Sequence, residues 1–299
     1  MKTKWYRRGL VATMALACPG LFLIGMDAAG ATSDPGPRPE GASTEKDSSG
    51  PWYVLETKGD VPASDRELLD RALRTGAESL EAYFDDDALN TTLRLLSIRV
   101  VIHAEPDELA NEYTATTRSG FANDAAGSYD AEIHMLAPSA HPQGLTTSIG
   151  EPKDRAYFER LAVHELSTVP LELATRIKSE GWRLRTAPAW FVQGYEEYLG
   201  MTCAPGDAGK AALARRTAMV VNDPHQVDDS FGLDVRDPYA TGAVLIRFMH
   251  EQYGAAGVRR VLSSHEPTFG RAMRASLGVD LDGFMRDWRA WLERQSAPE

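Results

Sequence analysis

The sequence predicts an α+β fold in which strands belong to the first half of the folded chain and helices alone make up the second. Three observations carry this. Ile98-Arg99-Val100-Val101-Ile102 is a β-branched run with the look of a buried strand, and Ala131-Glu132-Ile133-His134-Met135-Leu136 has the look of a second. Segments of helical period precede the first run and follow the second. From Tyr239 onward only helical periodicity remains, ending in Phe284, Trp288, Trp291 and Leu292 on one face.

The elements follow in order. Lys2, Lys4, Arg7 and Arg8 stand before an uncharged apolar run over residues 9–26, and Ala28-Ala29-Gly30-Ala31 follows it. A basic start, an apolar middle and small residues at the end describe a signal for export, cleaved after Ala31. An uncleaved membrane anchor is the alternative, because the run reaches the lower end of a membrane span. Ala15-Leu16-Ala17 before Cys18 has some likeness to a lipidation signal, which the apolar residues after it oppose, and Arg7-Arg8 hints at twin-arginine export. Residues 32–51 carry Pro, Gly, Ser and charge with no apolar side chain larger than alanine, so they are expected to be a disordered tether. Residues 52–295 then form one domain, long enough to enclose a sizeable core.

Within that domain Ser64 is placed to cap a helix through Leu68, Leu69, Leu73, Leu80 and Phe84. Ala131–Leu136 is expected at the edge of the sheet. A helix is expected from Arg155 to about Thr168, ending or kinking at Pro170, which has no N–H for the carbonyl of Leu166. A second helix is expected over Ala189–Leu199, with Thr186 as cap, Pro188 in the first turn and Gly200 after the last. The formal net charge of −11 excludes nucleic acid and anionic membrane surfaces as partners of the folded part. Two cysteines, one of them in the export segment, exclude a disulfide framework and a thiolate zinc cluster.

Chemistry concentrates in His164-Glu165-Leu166-Ser167-Thr168. Residues four apart share one helix face, so His164 and Thr168 point the same way. The two-histidine motif HExxH uses this spacing to hold Zn²⁺ while its glutamate polarises a bound water. Downstream, Ala187-Pro188-Ala189-Trp190-Phe191-Val192-Gln193-Gly194-Tyr195-Glu196-Glu197-Tyr198-Leu199 resembles the P-x-W-L-x-E-G-x-x-E-Y-L block of gluzincin-type, or peptidase MA-like, zinc metallopeptidases. With the strand Ala131–Leu136 before it and the helical segments after Tyr239, the resemblance spans most of residues 52–292. It implies a zincin-like fold and, position by position, the following roles. His164 corresponds to the first zinc ligand and Glu165 to the general base. Thr168 and Gln193 stand at the second and third ligand positions. Tyr239 stands where related enzymes place an oxyanion-stabilising group, with packing under the cleft as its plainer role.

A hydroxyl and a neutral amide compete poorly with water for zinc, so the resemblance implies a peptidase scaffold whose metal site has been dismantled. Such a protein would be exported, would lack zinc peptidase activity, and would bind a peptide or protein segment in its cleft. Two alternatives stand beside it. One is an active metallopeptidase that still holds zinc with His164, Glu165 and Glu196, the last occupying a position where the family carries a small residue; otherwise Glu196 faces solvent or pairs with an arginine. The other is a non-catalytic interaction module of the cell envelope.

The remaining candidates read more plainly. His250-Glu251 repeats the dipeptide but has Gly254 at the ligand position, the pattern of a solvated helix end. His134 alternates with apolar neighbours and faces cleft or solvent. His103, His141, His225 and His265 have no ligand spacing among themselves, and the aspartates from Asp223 to Asp237 lack the spacing of a calcium loop. Cys203 is expected to be a passive thiol.

Overall fold

The computed structural model describes residues 50–106, 117–120, 131–141, 144–147, 149–178, 187–223, 227–228 and 234–296. The expected export segment, most of the tether, Thr186, His225 and Asp229 lie outside the described residues. The rest is a mixed, mostly helical α+β structure. Strand β1 (Val54–Lys58) leads through α1 (Ala63–Phe84) and α2 (Asp87–Leu95) to β2 (Ile98–His103). Then come β3 (Thr117–Gly120), β4 (Ala131–Leu136), α3 (Arg155–Lys178), α4 (Ala189–Cys203) and α5 (Ala208–Asn222). A two-stranded ribbon of β5 (Val227–Asp228) and β6 (Asp234–Val235) precedes α6 (Ala240–Leu262), α7 (Phe269–Leu277) and α8 (Leu281–Ser296).

The main sheet has the order β1-β2-β4-β3, with β1, β2 and β4 parallel and β3 antiparallel to β4. Ala131–Leu136 is therefore an inner strand, not the expected edge; β3 holds that place. The sequence of β3, Thr-Arg-Ser-Gly, has no apolar residue, so periodicity gave no sign of a strand there. Alternation along β2 and β4 sends Ile98, Val100, Ile102, Ala131, Ile133 and Met135 into the core. The opposite face carries a polar row. Arg99 pairs with Glu56 and Glu132, and His134 places Nε2 3.0 Å from Glu132 and Nδ1 2.9 Å from His103 Nε2. His134 is thus tied to a histidine and a carboxylate of its own sheet.

Three helix boundaries differ from the sequence expectation. Helix α1 begins at Ala63 with Pro62 at its cap, so Ser64 lies inside the helix. Helix α3 runs through Pro170 to Lys178. The hydrogen bond lost there is outweighed by burial of Leu166, Val169 and Leu171, each at most 1% exposed, worth about 1.5–3 kcal/mol apiece. Helix α4 has Pro188 as its cap and continues past Gly200 to Cys203.

Glycines set how closely α4 approaches its neighbours. A Cβ on Gly194 would fall 2.6 Å from Gly242 Cα on α6, and one on Gly200 would fall 2.8 Å from the Arg160 carbonyl and 3.1 Å from His164 Cβ on α3. Helix α4 is thereby pressed between α3 and α6, with its middle turns directly beside His164. On the far side, Phe248, Phe284, Trp288 and Trp291 form one buried aromatic cluster, as the single apolar face of the last helix predicts.

The second His-Glu dipeptide is not a solvated end. Helix α6 breaks at Gly254, where φ is 75°, but His250 stacks on Tyr198 and lies 2.9 Å from Tyr83 Oη. Tyr83 Oη in turn lies 2.6 Å from Tyr195 Oη. Glu251 accepts hydrogen bonds from Trp291 Nε1 and Arg247 Nε, both at 2.7 Å. In the acidic stretch, Asp237 accepts from the backbone N–H groups of Tyr239 and Ala240 and so satisfies two donors where α6 begins.

Candidate functional site

The site is built where α3 and α4 cross. The four-residue spacing on α3 presents His164 and Thr168 to α4, and α4 answers with the adjacent pair Glu196 and Glu197. Thr168 Oγ1 donates to Glu196 Oε1 at 3.0 Å. His164 Nε2 lies 3.7 Å from Glu196 Oε2 and 3.9 Å from Glu165 Oε1, beyond hydrogen-bond length. His164 Nδ1 lies 2.9 Å from Glu197 Oε2, a close ionic contact whose direction departs from a linear hydrogen bond. All three carboxylates and the imidazole are buried or nearly so.

Of the residues expected at the site, His164, Glu165, Thr168 and Glu196 come together. Glu196 does not face solvent, being 5% exposed, and among the described residues it pairs with no arginine. Gln193 sits one turn earlier on α4 and is half-buried; Glu196 is the α4 side chain that reaches Thr168. The Tyr239 ring stacks over His164 with centroids 6.1 Å apart.

Sequence reasoning missed the other half of the arrangement. Arg216 on α5 is 4% exposed and grips Glu151 with two hydrogen bonds, Nε to Oε1 at 3.2 Å and Nη2 to Oε2 at 2.8 Å. Its Nη1 lies 2.6 Å from Glu197 Oε1. Arg160 donates to Glu151 Oε2 at 3.4 Å. A chain of alternating charge therefore runs Arg160, Glu151, Arg216, Glu197, His164, joining the loop before α3 to three helices. The signal that could have found Arg216 is its place on the apolar stripe of α5, with Ala212, Leu213 and Val220.

The electrostatics follow from these contacts. Burial opposes the charged imidazolium of His164, but Glu197 above all, with Glu165 and Glu196, raises its pKa to about 9. Burial pushes Glu196 up to about 7, with His164 pulling the other way and Glu165 adding to the rise. Burial would raise Glu197 too; the Arg216 guanidinium and the His164 contact instead hold it well below the usual carboxylate range. Tyr157, on the same face of α3, is pushed up to about 12 by burial and by the charges of Glu197 and Glu165.

Zinc calls for neutral imidazoles, carboxylates or thiolates with lone pairs to give. At the three positions where the resemblance expects ligands, this chain has an imidazole flanked by carboxylates, a hydroxyl already donated to Glu196, and an amide. That donor set does not fit zinc. Among the described residues no group of three or more His, Cys, Asp or Glu is arranged to hold a metal ion.

Two cavities lie elsewhere. One of about 250 Å³ opens between the ends of α1, α2 and α6 at Phe84, Leu89 and Arg259. The other, about 360 Å³, lies at the start of α1 and α3 between Asp65, His141 and Lys153. Neither is lined by His164, Glu165 or Glu196. Cys203 is buried, and burial pushes its thiol up to about 11, the state of an unreactive cysteine. No helix among the described residues is long and apolar enough to cross a membrane. No protein-family model matches the chain, and a search of curated proteins returned no match to it.

Proposed function

We propose that this chain is a gluzincin-like, metallopeptidase-type scaffold that does not act as a zinc peptidase, and that it serves outside the cytoplasm as a binder of extended peptide or protein segments. The observation that carries the first half is the tie between Thr168 and Glu196 beside His164. Two positions that would hold metal in the family are instead engaged, or displaced, by the scaffold's own side chains. The juxtaposition of α3 and α4 beside a small sheet supports the zincin-like reading, as does the Trp190-to-Leu199 block. For binding, the edge strand β3, not β4, is the place where an extended segment would add by backbone pairing, with α3 alongside.

One observation favours a second reading, in which the chain holds a metal after all. Glu165 and Glu196 both stand near His164 Nε2, and a carboxylate backs Nδ1, as in many metal-bound histidines. Metal content of the chain purified without chelators separates the two. The proposal expects substoichiometric zinc and no hydrolysis of an unfolded casein substrate. Stoichiometric zinc that disappears in His164→Ala would establish the second reading and end the first. For the binding half, proline at Ser119 in β3 is expected to abolish capture from a library of extended peptides; undiminished capture would move the binding surface elsewhere.

A further inference from the structure

We infer that Arg216 is the positioning residue of this site: its guanidinium, fixed on Glu151, holds Glu197, and Glu197 in turn holds the His164 imidazole in a single orientation. The inference deepens the proposed function and rests on it only in taking the site to be organised without metal. The geometry supplies each link. The Arg216 fork meets both oxygens of Glu151 at 3.2 and 2.8 Å, the two-point contact that a guanidinium makes and an ammonium cannot. Its remaining nitrogen, Nη1, then lies 2.6 Å from Glu197 Oε1, a close ionic contact that departs from hydrogen-bond direction. The second oxygen of the same carboxylate faces His164 Nδ1 at 2.9 Å. Each carboxylate therefore bridges two cations: Glu151 joins Arg160 and Arg216, and Glu197 joins Arg216 and His164.

Burial makes the chain directional. Arg216, Glu151 and His164 are each at most 6% exposed, so neither water nor a rotamer change compensates for a missing partner. The links come from four separate parts of the chain: the loop before α3, then α3, α4 and α5. The charged row is what brings α5 onto the α3–α4 pair at the level of His164. Its neighbour Arg247 on α6 donates to Thr217 Oγ1 at 2.9 Å, so the turn of α5 that carries Arg216 is held from both sides. A histidine held by a carboxylate that an arginine fixes in place needs no bound ion to be oriented.

The test reads the histidine itself. Imidazole ¹H–¹⁵N spectra of the whole chain should show one Nδ1–H resonance protected from solvent exchange, assigned by its loss in His164→Gln. Arg216→Lys keeps a cation but loses the fork; the resonance is expected to move upfield or broaden beyond detection. Arg160→Lys, which touches Glu151 without touching Glu197, is expected to leave it in place. Glu151→Gln loosens the fork from its far side and should shift the resonance in the same direction as Arg216→Lys, which keeps the test open if the lysine variant fails to fold. An unchanged resonance in folded Arg216→Lys or Glu151→Gln, or an equal shift in Arg160→Lys, would overturn the inference. Stoichiometric zinc in the native chain would overturn the proposed function and leave the dependence of His164 on Arg216 to be read from the same spectra.

Discussion

Replacing Glu197 with glutamine removes one negative charge from the middle of the buried row and keeps its size. Glu197 has two cationic partners, Arg216 at 2.6 Å and His164 at 2.9 Å. Breaking a buried ion pair on one side costs about 3–5 kcal/mol, because the remaining charge stays desolvated. Here Arg216 retains Glu151, so the lower end of that range is expected. The sharper signature is pH dependence. His164 has its pKa raised from 6.5 to about 9, so the folded chain binds more protons than the unfolded one between those values. Its contribution is fully present below pH 6.5 and is lost as pH rises toward 9. A shift of that size corresponds to at most about 3 kcal/mol. In the Glu197→Gln chain, burial dominates, the imidazole turns neutral earlier, and this loss should shrink to less than half. Urea denaturation at pH 6.5, 8 and 9.5 measures both effects. Parallel pH dependence in wild type and variant would show that Glu197 is not what keeps His164 charged.

Three further outcomes follow from other parts of the structure. Gly194→Ala should destabilise by about 2 kcal/mol or more, since its Cβ meets the Gly242 backbone at 2.6 Å, whereas Gly270→Ala on α7, with nothing within 4 Å, should gain about 0.5–1 kcal/mol; equal effects in thermal unfolding would refute the close approach of α4 and α6. His141 and His250 are both held down to about 4, each mainly by burial. The unfolded chain therefore takes up protons first, so stability should fall between pH 6.5 and 4 by up to about 3 kcal/mol for each, and His250→Gln should flatten part of that fall. Supplying the ligands that the resemblance expects, with Thr168→His and Gln193→Glu, should confer only weak zinc binding by calorimetry, and adding Glu196→Ala should strengthen it at least tenfold; a double variant as tight as the triple would mean that Glu196 does not obstruct position 168.

The two strands with apolar character, the helical second half and the shared face of His164 and Thr168 were legible because each depends on periodicity within a short window. The helix ends were not. Pro170, Gly200 and Ser64 carry local signals that predict stops and caps, and at Pro170 and Gly200 burial between helices overrides them. Strand β3 escaped because four residues without an apolar side chain leave no pattern, and its absence moved the presumed edge onto β4. The site was half visible. Glu196 stood out as an oversized residue at a position where the resemblance expects a small one. Arg216 and Glu151 did not, because their partners lie 65 residues apart in sequence and no local spacing relates them.

If the proposed gluzincin-like reading holds, the departures at 168 and 196 are one coupled change. A histidine at position 168 would extend from α3 into the space that the Glu196 side chain now fills from α4, and both could not be buried there. Threonine leaves that space open and contributes a hydroxyl that donates to Glu196 Oε1. Without that hydrogen bond Glu196 would stand in a buried region beside Glu165 and Glu197, with the His164 imidazole 3.7 Å away. Its pKa near 7 records the remaining tension. On the proposed reading volume is exchanged across the α3–α4 contact, while His164 and Arg216 offset part of the negative charge of Glu165, Glu196 and Glu197. A site that has merely decayed would leave a cavity or an unpaired donor at position 168. This one has a fitted pair, in keeping with the proposed scaffold that works without metal chemistry.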